Sequence, residues 1–282
     1  MTLTTPEAFM AAAPAPLNGN SPWSSRYAAE LRRVVIEHAE RSPRSLQLQL
    51  GPSEVGVACD RQVVGKMAGL PKTNHVSDPW PSIVGTAVHA WLADAFDADN
   101  ARRGVIRWVT EQRVQTHPDA GLIHPGTGDL YDAAEQAVDD HKVLGETTLA
   151  QVRSADGPAR KYVVQLLLYA EGFRRLGLPV RRVALIAWPR TASSLDGLYV
   201  WDREHTGADD QLIEEVFTQT RIRQQLAIEV HSGRMSITQI PITPDNSECY
   251  FCPFYRPQSA KDGGPGCPGT ANHQSLSKGA SA

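Results

Sequence analysis

Gly126-Thr-Gly-Asp-Leu-Tyr-Asp-Ala-Ala-Glu-Gln-Ala-Val-Asp-Asp-His-Lys142 decides how this chain is read. Gly128 to Ala133 and Gln136 to Val143 read as strands, joined by a tight turn at Ala134-Glu135. Residues facing one another across an antiparallel turn have numbers that sum to a constant. Asp129 is therefore expected opposite Asp140, with Cβ atoms ~5 Å apart on one face of the sheet. Side chains alternate along a strand, so Lys142 shares the face of Asp140, while Asp139 and His141 face the other way. Two carboxylates so close repel one another unless one is protonated or a cation lies between them. Mg²⁺ or Mn²⁺ resolves that conflict, because hard divalent ions prefer oxygen ligands. Such an ion polarises a scissile phosphate and acidifies a bound water. A lysine beside it positions that water or offsets phosphate charge in the transition state. An isolated Asp-x-Lys triplet is ordinary charge on a surface hairpin; its neighbours give this one weight.

Outward from the hairpin, Ser82 to Asp97 is an amphipathic helix with Val84, Ala87, Val88, Trp91, Leu92 and Ala95 as its apolar stripe, and His89 at the edge of that stripe. His89 reads either as a satisfied core histidine or as a neutral imidazole completing the coordination of a metal. Val105 to Thr116 is a strand carrying Glu111, read as a plain strand charge. Arg160 to Leu176 is a helix on which Lys161, Gln165 and Tyr169 recur every fourth residue, a polar stripe that needs partners on so apolar a helix. Gln165 would orient a ligand or phosphate there, and Tyr169 would touch a nucleic-acid backbone. Val183 to Trp188 has the continuous apolar run of a strand buried on both faces, with Leu198 to Asp202 beside it. Asp209 to Val230 is a long helix. Arg26 to Arg41 is a first helix with Leu31, Val34, Val35 and His38 near one face, and Ser53 to Leu70 is a second, N-capped by Ser53. This order predicts an α/β (α+β) domain: a central mixed β-sheet flanked by helices.

The 282 residues are 41% hydrophobic, enough to bury a sizeable core. Residues 1–22, rich in Ala, Pro, Asn and Ser, read as a flexible arm, 23–267 as a single domain, and 268–282 as a flexible tail. With no long apolar run and no signal-peptide pattern, a cytoplasmic protein with no membrane partner is expected. A formal net charge of -3 excludes a histone-like binder, yet leaves room for acidic metal ligands that offset a basic groove. Arg61, Lys66, Arg160, Lys161, Arg174 and Arg175 are the groove candidates. Cys59, Cys249, Cys252 and Cys267 are more in keeping with metal ligands or inert thiols than with disulfides in a reducing compartment. Four thiolates bind either Zn²⁺ or a [4Fe–4S] cluster, and ligation by all four would join the N-terminal helical part, around 53–70, to the C-terminal part, around 245–267.

Taken together, these stations resemble the PD-(D/E)XK nuclease superfamily. Within it they resemble the RecB-like exonucleases that carry an iron–sulfur cluster, including CRISPR-associated and phage recombination members. The resemblance runs from about Ser53 to Cys267. It implies a restriction-endonuclease-like core, with His89 as the histidine of the first motif and Asp129 as the aspartate of the second. Asp140 and Lys142 fill the third motif, Gln165 and Tyr169 the Gln-x₃-Tyr motif, and Glu111 more loosely resembles an acidic strand position of these proteins. Cys59, Cys249, Cys252 and Cys267 match the cluster ligands, although the interval from Cys252 to Cys267 is longer than is usual there. The implied protein is a metal-dependent DNA exonuclease. Its Mg²⁺ or Mn²⁺ is held by His89, Asp129, Asp140 and the carbonyl of His141. Asp129, Asp140, Lys142, Gln165 and Tyr169 act in catalysis on single-stranded or frayed DNA ends, with a recombination or CRISPR protein as partner. The alternative is a non-catalytic nucleic-acid-binding or adaptor protein on the same fold; an endonuclease or spacer-processing enzyme is a third reading.

Overall fold

A computed structural model describes residues 22–41, 47, 49–74, 78–242 and 249–269. Apart from Pro22, Pro268 and Gly269, the expected arm and tail lie outside the described residues, as do residues 245–248 of the expected C-terminal cluster region. The chain divides into two compact units, 1–46 and 47–282. In the first, helix α1 (Pro22–Glu40) buries no side chain. Trp23 and Tyr27 stack at 4.9 Å, and Arg33 bonds to Glu30 and Glu37 one turn either side.

The second unit contains α2 (Pro52–Val55), α3 (Asp60–Met67), α4 (Trp80–Arg103), β1 (Trp108–Val114), β2 (Gly126–Asp132), β3 (Ala137–Leu144), α5 (Glu146–Arg153), α6 (Arg160–Arg175), β4 (Arg182–Pro189), β5 (Tyr199–Glu204), α7 (Gly207–His231) and the single turn α8 (Ser259–Asp262). The sheet has the order β1-β2-β3-β4-β5. β1, β2 and β3 are antiparallel, β3 and β4 run parallel, and β5 closes the far edge antiparallel to β4. The parallel step needs a crossover, which α5 and α6 supply. The fold is α/β, a mixed five-stranded sheet flanked by helices, as the order of elements predicts. Among the described residues no helix is long and apolar enough to cross a membrane.

The core lies between the sheet and α6. Val164, Leu166, Leu167, Leu168, Ala170 and Phe173 have no exposed surface, so this helix is apolar nearly all round, as a fully enclosed helix must be. Each such leucine contributes roughly 1.5–3 kcal/mol by leaving water. β4 supplies Val183, Leu185 and Ala187, also without exposed surface, in keeping with its unbroken apolar run.

Three expectations are corrected. The helix predicted over Ser53–Leu70 is broken: α2 ends at Val55 with Gly51, not Ser53, as its cap, and α3 starts only at Asp60. The break is imposed from outside the segment. Gly56 lies against the backbone of α6, where a Cβ would sit 2.8 Å from the Cα of Lys161. The wholly buried Arg223 of α7 donates to the carbonyls of Val55, Val57 and Ala58 at the break and to Asp60 Oδ1. The second correction concerns α4, whose stripe is rotated. Trp91 is 68% exposed and Ala87 is exposed, while Leu92 is buried. Specific contacts fix this face. Phe96 packs on Trp108 and His141, and the Asn100 amide takes N–H groups of Arg107 and Trp108 and donates to the Trp108 carbonyl. Third, the β2–β3 turn is not a two-residue one. Pairing ends at Asp132–Ala137, and the Asp132 carboxylate accepts from the N–H groups of Ala134 and Glu135, the local side-chain bond that aspartate offers a turn. The four-residue loop keeps the same centre, so the register sum is unchanged.

Replacing Arg223 with leucine strands three carbonyls at the 55–59 break. A loss of about 3 kcal/mol is expected, read as a lowered urea midpoint at unchanged m-value; an unchanged midpoint would show that the break holds itself.

Candidate active site

β2 and β3 pair Leu130 with Asp139 and Tyr131 with Val138, the register that sets Asp129 across from Asp140. Both carboxylates are buried, at 9% and 1% exposure. Asp129 Oδ2 accepts the His141 backbone N–H at 2.7 Å, which ties the side chain of one strand to the backbone of the next. Asp129 Oδ1 lies 3.4 Å from His89 Nδ1 on α4. Asp140 is ion-paired through Oδ2 to Lys142, and its Oδ1 has no hydrogen-bond donor among the described residues. The Lys142 ammonium also lies 3.5 Å from the His141 carbonyl oxygen and 5.7 Å from the centre of the Tyr162 ring.

Glu111 joins this group. His89, Glu111 and Asp129 each offer a donor atom, all within 4.8 Å of one another. Its backbone is unusual. With φ of 46°, Glu111 occupies the left-handed region, and the ladder to β2 pairs Thr110 and Gln112 but passes over it. A non-glycine residue held there costs of order 1–3 kcal/mol and marks a place where the surroundings dictate the backbone. The sequence marks this residue only weakly, as a strand acid and not as a metal ligand. Its one local signal is an acidic side chain in a strand next to a glycine-rich partner strand.

The electrostatics divide the acids. Burial pushes Asp129 up, but the bond from His89 and the charge of Lys142 outweigh it and hold this carboxyl below its usual range. Asp140 is pushed up to about 6, by burial first and then against Lys142 by its neighbour Asp129. Burial and Asp129 likewise raise Glu111. Burial works to lower His89, yet Asp129 raises it overall. His141 falls to about 4 because it is buried among rings, with Phe96 stacked at 5.7 Å and Trp188 and His89 edge-on at 5.8 and 6.0 Å. Its ring therefore borders the site through His89.

On α6, Gln165 and Tyr169 are buried and bonded to one another, Nε2 donating to the phenol oxygen at 3.3 Å. Tyr169 packs over Gly126 at the start of β2, where a Cβ would come within 2.7 Å of the ring. The expected groove cations are mostly engaged elsewhere. Lys66 pairs with Glu54, Arg174 with Asp210, Arg175 with Glu171, and Arg160 donates to the Gly56 carbonyl. Lys161 sits 5.1 Å from the centre of the Tyr162 ring, and Arg61 points at the cysteines.

Those cysteines form a second constellation. Cys59, at the cap of α3, and Cys249, Cys252 and Cys267 are all buried, unbridged, and line one cavity. Burial drives the Cys252 thiol up to about 12, with the other three sulfurs adding to the shift. The C-terminal part is held by the N–H groups of Thr73 and Asn74, both donating to the Pro253 carbonyl, and by the Asn74 amide on the Cys252 carbonyl. Phe254 packs against Gly65 of α3.

No family model matches the chain, and no curated protein matches it. Two solved structures are similar. One is an alkaline exonuclease from Laribacter hongkongensis, 13% identical with a TM-score of 0.45. The other is the same exonuclease in complex with dAMP, 13% identical with a TM-score of 0.44. Each match covers 69% of this chain and 95% of the other. A likeness of this size does not define the chemistry.

Asp139, next to the site, gives a stability test. Burial, with Asp132 nearby, pushes its carboxyl up to about 7, against ~3.9 in an unfolded chain. The folded state then binds the extra proton between those values, so its stability falls as pH rises from about 4 to about 7. Asp139→Asn should match wild type in urea denaturation at pH 4 and exceed it by up to about 4 kcal/mol at pH 8; parallel pH profiles would contradict this.

Proposed function

We propose that this protein is a metal-dependent DNA nuclease acting from free ends, on a restriction-endonuclease-like core. The observation that supports it most is the cluster of His89, Glu111 and Asp129, open to solvent at Glu111, beside the buried Asp140 and its partner Lys142. Buried carboxylates without enough donors call for a proton or a cation. The unpartnered Asp140 Oδ1 fits that need. Oxygen donors with one imidazole suit Mg²⁺ or Mn²⁺. Bound there, a divalent ion would polarise a phosphate oxygen and acidify water.

Asp129, Glu111 and His89 would hold the ion, with Asp140 as the further acidic donor. Lys142, kept beside Asp140 and the His141 carbonyl, would orient the attacking water and neutralise charge on the phosphate. Gln165, fixed by Tyr169, would orient the phosphate from α6, and Tyr169 would contact the DNA backbone. A substrate with a free or frayed end is what the resemblance in motif order points to.

The cysteine cavity supports a [4Fe–4S] cluster, with zinc as the alternative: all four thiols line one cavity, four thiolates suit either group, and the resemblance in cysteine order favours the cluster.

End-labelled single-stranded DNA with Mn²⁺ tests the nuclease. Asp129→Asn, Glu111→Gln and Lys142→Ala should each lower the rate by about 10²–10⁴, with the Lys142 variant still binding Mn²⁺. Equal degradation by wild type and variants would reject the site and leave a nucleic-acid binder.

Protein purified without oxygen should be brown and carry iron and sulfide, lost in Cys59→Ser. A colourless protein with one zinc would move the cofactor to zinc while leaving the nuclease site in place.

A further inference from the structure

Arg61 sits on α3, two residues past Cys59, and lines the cysteine cavity. Its guanidinium is held by two carbonyls from the segment after α7. Nε donates to Ile240 at 2.8 Å and Nη2 to Thr238 at 2.8 Å. The remaining nitrogen, Nη1, lies 3.7 Å from Cys267 Sγ, within hydrogen-bond range for sulfur. A planar fork anchored at two points cannot turn its third arm away, so the direction of that donor is fixed. The rest of the wall is apolar or uncharged: Ile242, Phe254, Tyr255 and Gly269, with the amide of Gln62. A fixed cation in such a wall acts at low dielectric, where its charge is weakly screened.

We propose that Arg61 is a tuning and retaining residue for the cysteine-ligated cluster, donating a charge-assisted hydrogen bond to the Cys267 ligand sulfur. This rests on the iron–sulfur reading of the cavity. Hydrogen bonds to ligand sulfurs and nearby positive charge favour the more negative, reduced cluster, so Arg61 raises the reduction potential. The same bond holds Cys267 against dissociation, the role of outer partners at metal sites. Arg61 also fastens the cluster's two chain segments to a third, because the 238–240 carbonyls share its guanidinium.

The test uses full-length protein purified anaerobically. Iron and sulfide are quantified in wild type, Arg61→Met and Arg61→Lys, the potential is measured by spectroelectrochemical titration, and iron release to a chelator is timed. Arg61→Met should shift the potential to more negative values and speed iron release about 10–100-fold. Arg61→Lys keeps the charge but cannot hold both carbonyls and the sulfur, so a smaller shift in the same direction is expected. It serves as the test should the methionine variant not fold. Iron-loaded wild type with unshifted potential and release in the variants overturns the role of Arg61. Wild type that carries no iron overturns the cofactor reading instead, and the two failures are distinguished by the wild-type iron content alone.

Discussion

A buried carboxylate that stays ionised is the constraint around which this structure is arranged. Asp129 is nearly out of water, and burial alone would protonate it. Its charge survives because three groups from two elements supply compensation at once. β3 gives the His141 N–H, α4 gives His89, and Lys142 adds positive charge nearby. Shifting the β2–β3 register by one residue would turn Asp129 to the opposite face and leave His89 without its partner. The hairpin register, the docking of α4 and the ionisation of one side chain are therefore a single condition.

A second constraint acts on the other side of α6. The 51–60 segment is bent where Gly56 meets Lys161 and Arg223 collects the freed carbonyls. That bend sets Cys59 at the cap of α3 and aims it at the cavity shared with Cys249, Cys252 and Cys267. Lys161 in turn shares the ring of Tyr162 with Lys142. A continuous line of packed groups thus runs from the cysteine turn, across the first turn of α6, to the lysine of the candidate active site. The two constellations are assembled by the same helix, the most enclosed one in the second unit.

How much of this was legible follows from what kind of signal each feature carries. The strands and long helices were readable because period-2 and period-3.6 patterns survive in the sequence, as in Val183–Trp188 and Arg160–Arg175. The register sum was readable because it depends only on the centre of the turn, even though Asp132 builds a longer turn than expected. The break after Val55 was not readable, since its causes lie more than a hundred residues away at Lys161 and Arg223. The rotation of α4 was missed because hydrophobicity alone favours burying Trp91, whereas Phe96 and Asn100 make contacts that fix a different face. Glu111 is only weakly legible, because nothing local announces a left-handed backbone at a glutamate. Groove cations and ordinary surface charges look alike in the sequence, since each cation looks free until its carboxylate or carbonyl partner is brought in by the fold.

The division among the three acids has a chemical logic. Three ionised carboxylates gathered at one site would repel one another, and the protein alone avoids this by giving Asp129 the compensating partners while Asp140 and Glu111 are left easier to protonate. The same two groups are those a divalent cation would ionise, exchanging protons for metal charge. Strain at Glu111 then has a reason, because relaxing its backbone would draw the third donor away from His89 and Asp129. The distorted strand holds that donor in place ahead of any ligand, as preorganisation of a charged site requires.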